Sequence, residues 1–271
     1  MPPLPAWLAA GLADRPDLLI TARQTYSLRA VDFDQPALIV PLQGEKVFTA
    51  EQVTTHVGPG SYLMVHRACR GTVENIAGPD CYRAWCIVFP WRVVELARRL
   101  LETHALPPAP AASHSGAALA PLHEALRYFL DVLNGPGADA ALVDHALVGV
   151  LLALHRSGDS QFRLAQDLSV AARIRLQVGA QPGRDWCSAD FEASLHISGA
   201  TLRRRLAEEH TSLREVLRDA RLYHAMALLQ TTRRPVKAIA LACGYRSVPS
   251  FTRQFALRFG ALPGAVGNAE A

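Results

Sequence analysis

VKAIALACGYRSVPSFTRQFALRFG, residues 236–260, carries the signals of two short helices and the turn between them. Pro235 sits where the first helix begins, a place where proline's fixed φ is already suitable. Val236, Ile239, Ala240 and Cys243 recur at the spacing of one helix face. Gly244 stands just past that helix, where a left-handed backbone favours glycine. Ser247 can cap the next helix, with Pro249 in its first turn. Phe251, Phe255 and Phe259 then form a stripe four residues apart, and Gly260 closes it. Ser250, Thr252 and Arg253 fall off that stripe.

Upstream, the same grammar occurs again. Ser188 is read as the cap of a short helix to about Leu195, His196-Ile197 as a turn, and Ser198 as the cap of a helix to about Glu209. Leu202 and Leu206, four apart, form its core stripe, and Ala200, Arg203, Arg204 and Glu208 lie on the other face. Between the two units, Ser212 with Glu215 forms a capping box. It opens a helix to about Thr231 with Leu213, Val216, Leu217, Ala220, Ala227 and Leu228 on its apolar face. Some twenty residues at about 1.5 Å rise span about 30 Å. One turn of B-DNA is about 34 Å. A rigid helix of this length can set two recognition helices into successive major grooves.

The rest of the 271-residue chain fits a second domain, because domains typically hold about 100–200 residues. Half of its residues are hydrophobic and 19% are charged, a globular composition. The net charge of +4 is unevenly spread. Residues 168–271 hold 15 Lys+Arg against 8 Asp+Glu, a net of +7, and residues 1–167 hold 13 against 16, a net of −3. A basic end on a mildly acidic body suggests a polyanion-binding module. Lys46 and Lys237 are the only lysines; the other basic residues are Arg, whose planar fork suits phosphates and guanine edges. The longest apolar run, Ala146 to Leu154, is too short for a transmembrane helix. The N-terminal MPPLPAWLAAGLADRP lacks the basic segment of a secretory signal. Five scattered cysteines do not describe a disulfide framework. A reduced, cytoplasmic protein with no membrane partner is expected.

Residues 20–90 read as short strands, among them Ala37–Val40, Tyr62–Val65 and Trp85–Phe89. Gly44, Gly58-Pro59-Gly60, Gly71 and Gly78-Pro79 punctuate them, which suggests a small barrel or sandwich. Helical spacing begins at Pro90: a helix over Arg92–His104, a connector over 106–118, a helix over Leu119–Leu133 closed by Asn134-Gly135-Pro136-Gly137, and a helix over Ala140–His155. That last helix is apolar nearly all round, so it is buried either in its own core or against a second copy. Val170–Val178 is a further helix, ended by Gln181-Pro182-Gly183. The expected plan is α+β: residues 1–160, with strands over about 20–90 and helices over about 92–156, followed by an all-α domain over 168–267.

Residues 168–267 resemble the AraC/XylS-type transcriptional regulators. The likeness is carried by Leu202–Leu206, LRDARLYHAMALL (217–229), the opening stretch 236–260 and Ala261-Leu262-Pro263. It implies base contacts from Ala200, Arg203 and Arg204 on the first recognition helix, and from Val248, Pro249, Ser250, Thr252 and Arg253 on the second. Phosphate contacts are expected from Ser198, Arg233, Arg234, Lys237, Arg246 and Ser247. His210 stands where the family usually has Gly, Glu192 where it has a small residue, and Pro249 where Ser is common; the ending becomes Gly264-Ala265-Val266-Gly267. PALIVPLQGEKVF (36–48) and GPGSYLMV (58–65) more faintly resemble the cupin-like sensor domain of the same family. That likeness implies an N-terminal β-barrel for a small effector or for dimerisation, with a homodimer contact through helices between 119 and 156. RNA polymerase is a candidate partner beside double-stranded DNA.

Within the barrel, Tyr62, Met64, Trp85 and Phe89 either line an effector pocket or simply fill it. His56 and His66 lie ten apart with no His-x-His cluster, so no metal or other cofactor is expected. Cys81 and Cys86 form no CxxC; they are buried small hydrophobes or cysteine sensors. The chain is therefore expected to be a dimeric, sequence-specific DNA-binding transcriptional regulator and not an enzyme. The alternatives are a regulator controlled by a partner protein, with a packed barrel, and a metal-dependent cupin-type enzyme with a DNA-binding tail.

Overall fold

The computed structural model describes residues 4–13, 15–108, 112–137, 139–181 and 184–266. The helix stop at Pro182-Gly183 and the domain end at Gly267 lie outside them. Two compact units divide the chain at Gln166/Asp167.

The first unit opens with α1 (Ala6–Gly11), followed by β1 (Leu19–Ala22), β2 (Tyr26–Phe33), β3 (Ala37–Gln43), β4 (Glu45–Ala50), β5 (Val53–Val57), β6 (Ser61–Val65), β7 (Cys69–Ile76) and β8 (Tyr82–Val88). Then come α2 (Trp91–Leu100), β9 (His114–Ala118), α3 (His123–Asn134) and α4 (Ala140–Arg156). The strands form two antiparallel sheets, ordered β1-β8-β3-β6-β9 and β2-β7-β4-β5. The sheets face one another: Phe48 on β4 meets His114 on β9 edge to face at 4.7 Å. Gly44 makes the β3–β4 turn at φ +74, where an added Cβ would fall 2.3 Å from the Ile76 carbonyl oxygen.

Both faces of the five-stranded sheet are buried, and its side chains sort by parity. Leu38, Val40, Tyr62, Met64, Trp85 and Ile87 share one core with α1, α2, α3 and α4. Ile39, Leu63, Val65 and Ala84, one residue out of phase, are also buried, toward the other sheet. α4 buries Ala146, Leu147, Val148, Val150, Leu151 and Leu154 in its own unit's core, which accounts for its apolar circumference.

The region read as a connector, 106–118, is corrected by β9, whose His114–Ala118 pairs with Val65–Ser61 of β6. Its sequence, HSGAA, lacks β-branched and large residues; the sheet edge supplies the pairing that propensity does not. The helix expected from Leu119 starts as a 3-10 turn over Ala120–Leu122 and becomes α-helical at His123. The helix after Pro90 ends at Leu100, four residues before His104.

The second unit is helical among its described residues: α5 (Val170–Ala180), α6 (Ser188–Leu195), α7 (Gly199–Glu208), α8 (Leu213–Thr231), α9 (Val236–Ala242), α10 (Val248–Phe259) and α11 (Pro263–Val266). Phe191, Leu202 and Leu206 pack with Ile174, Val178, Val216 and Ala220 in one core around the first helix pair. Phe251, Phe255 and Phe259 are fully buried in the second, each ring against the next at 5.7 and 4.9 Å.

Candidate nucleic-acid interface

Two helix–turn–helix units are built by local hydrogen bonding. The α6 cap is Cys187, not Ser188: the Asp190 carboxylate accepts from the Cys187 N–H at 2.8 Å, and Ser188 is the first helical residue. That carboxylate's pKa is lowered by these hydrogen bonds and by Arg184. α6 ends at His196, φ +54, and the chain turns into α7 through Ser198, whose Oγ accepts from the Thr201 N–H. Glu192 lies against the start of α7. A Cβ on Gly199 would stand 2.7 Å from its Oε1, so the missing side chain of Gly199 makes room for the larger residue.

α7 ends in a left-handed residue at His210, φ +55. The His210 N–H donates to the Ala207 carbonyl and the Thr211 N–H to the Leu206 carbonyl, both at 2.9 Å, which is a Schellman closure made without glycine. α9 closes in the same way, with Gly244 at φ +80; Gly244 N–H donates to Leu241 and Tyr245 N–H to Ala240. Ser247 caps α10 by accepting from the Ser250 N–H, and Gly260 at φ +74 ends it.

Folding the two pairs this way leaves one face of each second helix open. On α7, Ala200, Arg203 and Arg204 are exposed opposite Leu202 and Leu206. Arg204 pairs with Glu208 at 3.0 Å, both largely solvated, so the pair is weak and readily exchanged for another anion. On α10, Pro249, Ser250 and Arg253 are exposed, while Val248 and Thr252 are half-buried. Ser198, Arg233, Arg234, Lys237, Arg246 and Ser247 are all exposed. Ser198 and Ser247 already use their hydroxyl oxygens as caps, and the Ser198 hydroxyl also shares a hydrogen bond with the Thr201 hydroxyl at 3.0 Å.

α8, 19 residues long, joins the two pairs. Its hold on the second pair was not legible from residue type. Arg258 of α10 donates to Asp219 Oδ2 at 2.7 Å and to the Tyr223 hydroxyl at 3.0 Å, and both partners lie on α8. With side-chain exposures of 12% and 18%, this Arg–Asp pair is an internal staple, so Arg258 is not one of the solvated cations. Glu209, at the end of α7, accepts from the Val170 and Ala171 N–H groups and so caps α5 beside Ser169.

In the first unit, Tyr62, Met64, Trp85 and Phe89 are each at most 1% exposed, in the core between the five-stranded sheet and the helices. Trp85 stacks on Phe129 of α3 at 5.6 Å. They pack against helices and do not face the other sheet. His56 is exposed on β5, whereas His66 is buried, with Nε2 3.0 Å from Ser115 Oγ and Nδ1 3.3 Å from Asp159 Oδ1. Among the described residues no three His, Cys, Asp or Glu side chains gather as metal ligands. No described helix is long and apolar enough to cross a membrane. All five cysteines are unbridged; Cys81 and Cys86 are half-buried.

Two capped helix–turn–helix pairs on one connecting helix, with basic exposed faces, define a two-headed DNA-binding domain. Residues 192–269 match the family described as a helix-turn-helix domain. The chain is 35% identical over 101 residues to the HTH-type transcriptional regulator YdeO of Escherichia coli K12, which is 37% of this chain and 40% of YdeO. It is 38% identical over 92 residues to the ornithine utilization regulator of Pseudomonas aeruginosa, which is 34% of this chain and 27% of that one. The matched segment thus spans less than half of either relative. Over nearly the whole chain the fold is similar to ToxT of Vibrio cholerae. The apo form of a single-residue ToxT variant superimposes with a TM-score of 0.61 at 16% identity, covering 91% of this chain and 94% of that one. ToxT with bound unsaturated fatty acid gives 0.58 at 15% identity, covering 93% and 96%. At such identity the likeness shows the fold alone.

Proposed function

We propose that the chain is a sequence-specific, DNA-binding transcriptional regulator, acting as a cytoplasmic dimer and not as an enzyme. The observation that carries this reading is the pair of open, basic faces on α7 and α10, each second in a capped helix pair and joined by one helix about 28 Å long. Ala200, Arg203 and Arg204 read one major-groove segment; Val248, Pro249, Ser250, Thr252 and Arg253 read the next. Arg233, Arg234, Lys237 and Arg246, with the Ser198 and Ser247 hydroxyls, hold phosphates. The mildly acidic first unit receives a small effector, as the fatty acid bound to ToxT suggests for a protein of this fold. The surface of α3 and α4 carries the second copy: Tyr128 and Leu142 are about 40% exposed there, and Leu152 and Ala153 are half-buried. RNA polymerase is the natural protein partner on DNA. Selection of bound duplexes from a random pool by the full chain, then titration on selected and scrambled duplexes, tests the reading. Enrichment of a two-part site about one helical turn apart is expected; equal affinity for both duplexes would overturn it.

A further inference from the structure

α8 carries Arg214, Arg218 and Arg221, four and then three residues apart, which puts them on one helix face. Like charges so placed repel one another and cost helix stability. All three are exposed, and among the described residues no carboxylate pairs with Arg214 or Arg221. Arg218 Nε stands 3.6 Å from Asp219 Oδ1, but that carboxylate already accepts from Arg258 at Oδ2. Folding therefore gives this arginine face no strong anion of its own.

The three arginines line a cleft of about 800 Å³ between the first half of α8 and the turn from α9 into α10. Leu213 and Leu217 of α8, Tyr245 of the turn and Gln254 of α10 complete its walls. The Tyr245 ring is held edge-on to Phe251 at 5.2 Å. Burial pushes its phenol up while Arg218 and Arg221 act against that push, so both guanidinium groups converge on this ring. Glu215 is the one carboxylate in the lining; it accepts from the Ser212 hydroxyl at 2.8 Å and so belongs to the cap of α8. Two positive charges remain in excess beside leucine and tyrosine walls. A phosphate monoester brings about 1.5 to 2 negative charges at neutral pH. Its oxygens also suit guanidinium forks, which take them two at a time. A carboxylate would leave a cation unmatched. The volume falls in the range of about 300–1,000 Å³ typical of small-molecule sites.

We propose that this cleft binds a small aromatic phosphate monoester, of the chemistry of a nucleoside monophosphate, with Arg214, Arg218 and Arg221 on the phosphate and Leu213, Leu217 and the Tyr245 ring against the aromatic part. The test is calorimetric titration of the full chain, free of DNA and at constant ionic strength, with phenyl phosphate and the four ribonucleoside monophosphates. Inorganic phosphate, phenol and the nucleosides are the controls. At least one monoester is expected to bind saturably, inorganic phosphate more weakly, and phenol and the nucleosides not at all. Arg218→Gln and Arg221→Gln are each expected to weaken binding by about tenfold or more, the value of one charged hydrogen bond. Arg127→Gln, which removes the same charge from an exposed site in the first unit, is expected to leave it unchanged. Because all three positions are exposed, the variants should keep the parent's urea midpoint. No saturable binding across the series, or an equal loss in Arg127→Gln, would overturn the site. Gel shifts distinguish the other source of phosphate. Weaker duplex binding in Arg218→Gln and Arg221→Gln, with no monoester bound by the parent, would assign the arginines to the DNA backbone and also overturn it.

Discussion

His210 holds φ +55 at the end of α7, in a closure that glycine makes without Cβ strain. Its two backbone hydrogen bonds are intact, so the cost is conformational and local. His210→Gly should therefore stabilise the chain by about 0.5–1 kcal/mol, with relief of left-handed strain partly offset by a more flexible unfolded state. Urea denaturation reads this; an unchanged or lower midpoint would show that the imidazole itself contributes. Gly199 poses the opposite case. Its added Cβ would meet the Glu192 carboxylate, which also accepts from Ser188 Oγ at 2.7 Å. Gly199→Ala alone should cost about 1 kcal/mol, and the same change in a Glu192→Ala background should be neutral or stabilising, since alanine is the better helix former. A double-mutant cycle with no coupling would mean that Glu192 swings away freely.

At the scale of elements, the Arg258–Asp219–Tyr223 staple fixes α10 against α8. Arg258→Ala removes the shorter of two cation contacts to a mostly buried carboxylate, with Arg218 still 3.6 Å from its other oxygen, and should cost on the order of 2 kcal/mol in denaturant unfolding. A loss below about 1 kcal/mol would make it an ordinary surface pair. The sequence shows why this staple is hard to foresee. The Phe stripe, the Ser caps and Gly244 announce α9 and α10 because each signal is local. Arg258 and Asp219 are 39 residues apart, and nothing local pairs them. The same limit explains Tyr62, Met64, Trp85 and Phe89. Alternation divides a strand into two faces, but both faces of this sheet are buried, one by helices and one by the other sheet. Hydrophobicity alone could not say which face met which, and the aromatic residues went to the helices. Lys46, Asn75 and Tyr26, spread over three strands, come together only through sheet register. β9 was invisible because its residues form a strand by pairing at the edge of a sheet already made. At Cys187 the capping acceptor is Asp190, so the cap lies one residue before the serine that composition favours.

At the scale of the molecule, the charge split sets how DNA binding should respond to salt. Each neutralised phosphate releases condensed counterions, so the logarithm of the binding constant falls with the logarithm of salt concentration by about 0.9 per phosphate contact. Arg233, Arg234, Lys237 and Arg246 are exposed cations of the basic second unit, and as the proposed phosphate contacts they contribute to that slope whatever the base sequence. Arg253, on the open face of α10, is assigned to base edges, where a bidentate contact discriminates by about 1–3 kcal/mol. The two roles predict different failures. Arg233→Ala should weaken binding to selected and scrambled duplexes by similar factors and reduce the salt slope by about one. Arg253→Ala should weaken the selected duplex by roughly tenfold or more and the scrambled one little, narrowing the ratio between them. Gel-shift titrations of the full chain over a range of salt concentrations separate the outcomes. A uniform loss with a reduced slope for Arg253→Ala would move that residue to the backbone. A sequence-dependent loss for Arg233→Ala would move readout off α10 and into the segment before α9.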